Sequence, residues 1–123
     1  MATIKVLLMK GEKMIILRGL IPVFIAYVIY KRNGKAYGGD IKKDIERLLQ
    51  KPVPRSLIYG TLKRMEKYGI IEKCKEKNKM AYKLNERGKI FLIKHVEILR
   101  YLSPIINQVI YDMDRKLTID KSE

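Results

Sequence analysis

The sequence lacks the residues that most catalytic and metal-binding sites need. It holds one cysteine, Cys74, and one histidine, His95, among 123 residues. A single cysteine excludes a disulfide within the chain, and no Cys/His set has the spacing of a metal site. No nucleophile is paired with the histidine, and there is no glycine-rich loop that would bind a phosphate. The sequence therefore predicts a protein that is not an enzyme and that has no cofactor and no metal.

A long hydrophobic run is also missing. The apolar stretch from Gly19 to Tyr30 has 12 residues, whereas a helix that crosses a bilayer needs about 20. A run of this length is more typical of a buried core helix, and no small-residue cleavage site follows it. We therefore expect a soluble cytoplasmic protein with no membrane partner.

Acidic residues are scarce, with 13 Asp/Glu against 27 Lys/Arg and a formal net charge of +14. Residues 1–50 carry +6, residues 51–90 carry +8 and residues 91–123 carry no net charge. A small domain this basic usually binds an acidic partner such as nucleic acid, anionic lipid or an acidic protein. A generally lysine-rich surface is the simpler alternative, but it does not predict a neutral last quarter.

Hydrophobic periodicity predicts helices in the first part of the chain. Residues 1–18 fit either a helix or a short strand, with a helix slightly favoured. Pro22 suits the first turn of an apolar helix that ends at Gly34. The next segment, "GGDIKKDIERLLQK", starts with a Gly-Gly-Asp that can cap a second helix, and it carries an apolar stripe.

The middle of the chain predicts a third helix and a hairpin. Pro54 opens the helix and Gly69 ends it. The segment "IIEKCKEKNKMAYKL" alternates on both sides of "KNK", which is typical of a two-stranded hairpin whose turn type the sequence leaves open. Asn85 can cap a last helix that Pro104 either kinks or breaks, with Ser103 capping a new helix in the second case.

Three short helices followed by a hairpin are the arrangement of a winged helix-turn-helix. We therefore expect a mainly α fold with a small β-hairpin (α+β). Its parts are an N-terminal segment (1–18), a winged helix-turn-helix domain (19–85) and a C-terminal helix (86–118). In such a domain the third helix enters the major groove of DNA and the hairpin contacts the backbone.

The third helix separates apolar from cationic side chains. The apolar side is predicted to hold Leu57, Ile58, Thr61, Leu62, Met65 and Tyr68. The outward positions, which we expect to contact DNA, are Arg55, Ser56, Tyr59, Gly60, Lys63, Arg64 and Lys67. Small residues at 56 and 60 allow a close approach to the groove floor, and Arg55, Tyr59 and Lys63 follow one line at i, i+4 spacing. A solvated helix face is the simpler alternative.

The hairpin carries a second group of cations that we expect to contact DNA, namely Lys73, Lys75, Lys77, Lys79 and Lys83. Alternation places Lys73, Lys75 and Lys77 on one side of the first strand and Cys74 on the other. A wing of this kind neutralises phosphates without reading sequence, and it makes binding steeper in salt.

These segments together resemble the PadR family of winged-helix transcriptional regulators, whose pattern reads approximately "HGYEI", "SxGTLYPALRRLEExGLI" and "YxLTxxG". Here "AYGGDI", "PRSLIYGTLKRMEKYGII" and "YKLNERG" stand in those places, within about Gly19 to Ile93. The residues in register are Ile58, Tyr59, Leu62, Arg64, Met65, Glu66, Gly69, Tyr82, Leu84 and Gly88. The chain departs from the pattern at the His-Gly pair and at the small residues that usually open the third helix. MarR-like regulators share parts of the pattern.

The last helix carries an apolar seam in a segment without net charge. The seam positions are Leu92, Leu99, Leu102, Ile106, Val109 and Met113. The other helices already supply a core for so small a domain, so we expect the seam to contact a second copy of the chain, joined by the N-terminal segment. The resemblance implies the same pairing. Packing back onto the same subunit is the alternative.

Together these patterns predict a sequence-specific regulator of transcription, a repressor, that binds a pseudo-palindromic site in double-stranded DNA as a homodimer. One alternative is a basic architectural or RNA-binding protein without site preference. Another is a winged-helix module that binds an acidic protein. The resemblance also implies a small aromatic effector near the dimer interface, although no pocket for it is identified in the sequence.

Overall fold

The structure, a computed structural model, describes the backbone of residues 10–122 and the side chains of residues 18–117. Its elements are α1 (Lys10–Lys31), β1 (Lys35–Tyr37), α2 (Gly38–Leu49), α3 (Arg55–Lys67), β2 (Ile71–Glu76), β3 (Lys79–Leu84) and α4 (Glu86–Ser122). The predicted helix for the N-terminal segment is confirmed for residues 10–18. The prediction for residues 1–9 lies outside the described residues.

The sheet has one strand more than the hairpin that the sequence predicted. β1 pairs antiparallel with β3, which also pairs antiparallel with β2, so the strand order is β1-β3-β2. The predicted hairpin is confirmed as β2 and β3, and β1 is a further strand that the sequence did not predict. β1 is only three residues long, which is too short for an alternating pattern to be recognised in the sequence.

Helix α1 contains Pro22 in its interior, so the prediction that Pro22 opens the helix is wrong. A proline inside a helix has no N–H to donate to the carbonyl four residues earlier. Burial on both sides of the proline offsets this loss, because Ile21, Ile25 and Ile29 are fully buried. Each such side chain contributes about 1.5–3 kcal/mol through burial.

The hydrophobic core lies where α1 meets the other elements. α2 contributes Ile41 and Ile45, α3 contributes Ile58, Leu62 and Met65, the sheet contributes Ile71 and Leu84, and α4 contributes Leu92. Within the described residues, no helix is both long enough and apolar enough to span a membrane.

The turn between α2 and α3 is organised by Glu46. Its Oε2 accepts hydrogen bonds from the Val53 backbone N–H at 2.9 Å and from Lys42 Nζ at 3.1 Å. The Val53 bond, and then the Lys42 contact, lower the pKa of the Glu46 carboxyl. The predicted cap at Gly-Gly-Asp is wrong, because α2 is preceded by Tyr37, which makes no side-chain cap, and Asp40 lies inside the first turn.

Asn85 caps α4, as predicted. Its Oδ1 accepts from the Gly88 N–H at 2.9 Å, while its Nδ2 donates to the Gly69 carbonyl at 2.8 Å. Gly88 is buried so tightly that a Cβ there would come 2.3 Å from the Ile70 carbonyl oxygen. α4 then continues unbroken through Pro104, so the prediction of a break with a new cap at Ser103 is wrong.

Candidate nucleic-acid interface

The outer face of α3 is exposed and cationic. Its exposed members are Arg55, Ser56, Lys63, Arg64 and Lys67. The inner face holds the buried Ile58, Thr61, Leu62 and Met65. Tyr68 was predicted on the apolar side but is 63% exposed. The reason is that α3 ends at Lys67, so the helical period no longer sets the direction of the next side chain.

Tyr59 was predicted on the outer face, but the structure leaves it half-buried and packed against the core. A Cβ on Gly38 would come 2.7 Å from the Tyr59 hydroxyl oxygen. The guanidinium carbon of Arg55 lies 4.9 Å from the centre of the Tyr59 ring, a cation–π contact. Arg55 and Lys63 therefore remain open to a ligand, while much of Tyr59 serves to seat the helix and to support Arg55.

Arg64 is oriented by a residue that the sequence assigned only to the core. Thr61 is 1% exposed, and its hydroxyl donates to the Leu57 carbonyl at 2.7 Å. Arg64 Nη2 in turn donates to Thr61 Oγ1 at 3.2 Å. A guanidinium has five N–H groups, so this bond holds Arg64 in place and leaves most of its donors for a ligand.

Gly60 lies half-buried on α3 beside Arg64. A Cβ there would meet only Arg64 Nη1, at 4.0 Å. The helix surface at positions 56 and 60 is thus low, with the longer Arg55, Lys63 and Arg64 around it. A surface of this shape fits the floor of a major groove, which is about 12 Å wide.

The wing consists of β2, β3 and the turn between them. Lys77 and Asn78 form a two-residue turn with φ of 48° and 64°. Positive φ at both positions is the pattern of a type I′ turn, which suits the twist of a hairpin. The turn places Lys77 at the tip of the wing.

The wing lysines lie on both faces of the sheet. Lys73 is paired with Tyr82 and Lys75 with Met80, and paired residues lie on the same face of a sheet. Tyr82 packs in the core, so the two lysines are on the core-facing side of the sheet. Cys74 lies on the other face, as predicted, and Lys79 and Lys83 share that face. All five wing lysines are exposed.

Part of the charge on the Cys74 face is compensated within the chain, although Lys83 on that face has no hydrogen bond or ion pair with the described residues. On the Cys74 face, Lys35 Nζ lies 2.6 Å from Glu76 Oε1, and Lys79 Nζ lies 5.5 Å from the centre of the Tyr37 ring. The hydrogen bond between Lys35 and Glu76 raises the pKa of the lysine and lowers that of the carboxyl. Lys73 and Lys75 have no hydrogen bond or ion pair with any residue that the structure describes. Their charge is therefore available to a ligand.

The predicted seam of α4 divides into two parts. Leu92 is 8% exposed and lies in the core of its own subunit, which corrects its assignment to an intermolecular interface. Leu99 packs on that core, and Leu102 is half-buried. The remaining seam residues, Ile106, Val109 and Met113, are about half exposed, as are the flanking Ile98, Ile105 and Ile110.

The comparisons with known proteins agree with this architecture. The family model of PadR-like transcriptional regulators matches residues 27–94. A transcriptional regulator from Clostridium thermocellum is 21% identical, with a TM-score of 0.68, and the match covers 76% of this chain and 92% of that one. A PadR family transcription regulator from Clostridium difficile is 25% identical, with a TM-score of 0.66 and coverages of 74% and 98%. A protein of Thermoplasma acidophilum is 28% identical, with a TM-score of 0.65 and coverages of 79% and 94%. No curated protein matches the chain.

Proposed function

Because the chain belongs to the PadR-like family of transcriptional regulators, which are DNA-binding proteins and not enzymes, we propose that it is a homodimeric repressor with a pseudo-palindromic operator. α3 enters the major groove, and the wing contacts the backbone. The observation that carries the proposal is the exposed face of α3, where Arg55, Lys63 and an oriented Arg64 surround a low surface at Gly60.

The wing lysines are suited to positioning the protein on the DNA backbone rather than to reading bases. Lys73 and Lys75 lie on the core-facing side of the sheet, and Lys77 lies in the turn at the tip of the wing. Lysine ammonium groups bind phosphates as point charges, and such contacts set affinity and register without sequence information. Arg55 and Lys63, in contrast, lie on the helix that reaches base edges.

The second half of α4 supports a homodimer. Ile106, Val109 and Met113 expose apolar surface that no described part of the same chain covers. Residues 91–123 carry no net charge, although the whole chain carries +14. Two strongly basic subunits therefore meet with little repulsion if they meet here. We assign the N-terminal segment up to residue 17 to the same interface and residues 19–85 to DNA binding; Arg18 lies at the boundary between the two.

Selection of bound duplexes from a random pool, followed by titration at about 0.15 M salt, tests the proposal. We expect a pseudo-palindrome with half-site centres about 10 base pairs apart and a preference of at least about 1,000-fold over random DNA. Equal affinity for all duplexes points instead to an architectural protein, and absence of binding points to a protein-interaction module. In the cell, deletion of the gene should raise transcription from promoters that contain the selected site.

A further inference from the structure

A shallow cavity beside α3 is lined by two arginines from different helices. Its lining residues are Arg18 of α1 with Pro54, Ser56, Leu57 and Arg64. None of them is acidic, and Arg18, Ser56 and Arg64 are all exposed. Arg18 lies outside the helix-turn-helix segment, and the sequence contains no signal that brings it to α3.

No acidic side chain among residues 18–117 neutralises the two guanidinium groups. Arg64 is held by its bond to Thr61, which uses one of its five N–H groups. Arg18 has no hydrogen bond or ion pair with any of the described side chains. The cavity is therefore lined by two guanidinium groups and one hydroxyl, with no acidic side chain. Such a set suits an oxyanion, because arginine and serine side chains donate hydrogen bonds to phosphate oxygens.

The position of the cavity on α3 relates it to the proposed DNA site. Leu57 and Arg64 are seven residues apart and therefore share one flank of the helix, while Tyr59 lies about 140° from Arg64 and about 160° from Leu57 around its axis. The Tyr59 flank is turned to Gly38. Tyr59 also packs on the core cluster that contains Tyr82 of the wing strand β3, and burial, then the nearby Tyr59 and Glu66, raise the pKa of Tyr82. The wing and the cavity thus lie on different flanks of α3.

A helix in the major groove runs between two phosphate backbones. We infer that Arg18, with Ser56 and Arg64, binds a backbone phosphate of the duplex at the edge of the groove away from the wing. The inference rests on the proposed insertion of α3 into the major groove. The first helix then acts as a second backbone contact, and α3 is held from both sides.

The inference is tested with Arg18→Ala and Arg18→Lys in the full-length protein, with Arg47→Ala as the matched control. Arg47 is an exposed arginine of α2 that pairs with Asp44 and does not line the cavity. Affinities for the selected operator and for random duplex are measured by fluorescence anisotropy over a series of salt concentrations. Circular dichroism shows whether each variant is folded.

We expect Arg18→Ala to weaken binding about tenfold for both duplexes and to reduce the slope of log affinity against log salt by about 0.9. Arg18→Lys should keep the slope. The double variant Arg18→Ala/Arg64→Ala should not have a slope lower by a further 0.9 or so than that of Arg18→Ala alone, because both arginines are proposed to bind one phosphate. A slope in Arg18→Ala equal to that of the Arg47→Ala control overturns the inference, and so does a loss confined to the operator.

Free phosphate is the other source of the same ligand chemistry. Inorganic phosphate at constant ionic strength should compete with DNA only weakly. Binding of inorganic phosphate that Arg18→Ala abolishes, but that does not displace DNA, shows a site for free phosphate and overturns the assignment to DNA. The proposed function fails by a different observation, namely a wild-type protein that has no preference for any duplex.

Discussion

Gly38 and Tyr59 lie in direct contact at the junction of α2 and α3. A methyl group on Gly38 would come 2.7 Å from the Tyr59 hydroxyl oxygen and 2.9 Å from its Cε1. The same tyrosine lies under Arg55, one of the residues proposed to contact bases. The start of α2 therefore limits where Tyr59, and with it α3, can lie.

This contact predicts a difference between two adjacent glycines. Gly38→Ala forces Tyr59 to move and should cost about 1–3 kcal/mol of unfolding free energy, as other overpacked sites do. Gly39→Ala is the control, since a Cβ at Gly39 meets nothing within 4 Å. It should be neutral or slightly stabilising. Urea unfolding measures both, and equal effects of the two changes would contradict the contact. Tyr59→Phe should partly restore Gly38→Ala, because it removes the closest atom.

The tip of the wing predicts a separation of stability from DNA binding. Lys77 has φ of 48°, a conformation that costs a residue other than glycine about 1 kcal/mol. Lys77→Gly should therefore raise the unfolding free energy but weaken binding to all duplexes and reduce the salt slope. Asn78→Gly relaxes the same turn and keeps the charge, so its DNA affinity should stay unchanged. If Lys77→Gly binds DNA as wild type does, the wing tip does not contact phosphate.

The outer face of α3 predicts losses that depend on DNA sequence. Arg55→Ala or Lys63→Ala should cost about 1–3 kcal/mol at the operator if the residue contacts a base edge, with a much smaller loss on random DNA. Lys75→Ala is the comparison on the wing, where the loss should be the same for both duplexes. Anisotropy titrations give the specificity ratio for each variant. An unchanged ratio in all three variants would show that α3 does not read bases.

The apolar half of α4 predicts the effect of a charge at the proposed dimer interface. Ile106 is 50% exposed in a single chain, so Ile106→Glu should fold, yet each dimer would bury two carboxylates without partners. We expect the mass in solution to fall from twice the 14.4 kDa of the chain to once that value. Sedimentation equilibrium measures this change. Tyr68→Glu, at an exposed position outside α4, should leave the mass unchanged, and a similar shift in both variants would argue against this interface.

The Glu46 carboxylate predicts a pH dependence of stability. Its pKa in the folded chain lies below the ordinary value of 4.5, so folding favours the charged form. The stabilisation is complete above pH 4.5 and is lost as the pH falls through the lowered pKa. The melting temperature of the wild type should therefore be higher than that of Glu46→Gln at pH 7, and the difference should become smaller at acidic pH. A difference between wild type and Glu46→Gln that does not depend on pH would contradict the role of the charge.

Local periodicity was sufficient for most of the fold. The stripe of Ile41 and Ile45 predicts α2, and the alternation around "KNK" predicts the hairpin, because both patterns depend on near neighbours. Asn85 was also recognisable, since a cap and the turn that it caps lie within four residues. The cationic face of α3 follows from the same helical period.

Contacts between distant segments account for what the sequence did not reveal. β1 forms only because Lys35, Ala36 and Tyr37 meet β3, more than 40 residues later. The interior position of Pro22 depends on burial around it rather than on its neighbours in sequence. The packing of whole helices places Tyr59 against Gly38 and Arg18 beside α3. No local sequence pattern indicates such contacts between distant segments.

Asn85 also has a mechanical consequence. Its side chain joins Gly69, two residues after the end of α3, to the first turn of α4. α4 is 37 residues long, or about 55 Å. The hydrogen bonds of Asn85 thus fix the start of α4 next to the end of α3. A difference of about 2° in the direction of α4 at Asn85 displaces its far end by about 2 Å over that length. The direction in which α4 leaves Asn85 therefore determines where its exposed apolar half, which includes Ile106 and Met113, lies relative to α3.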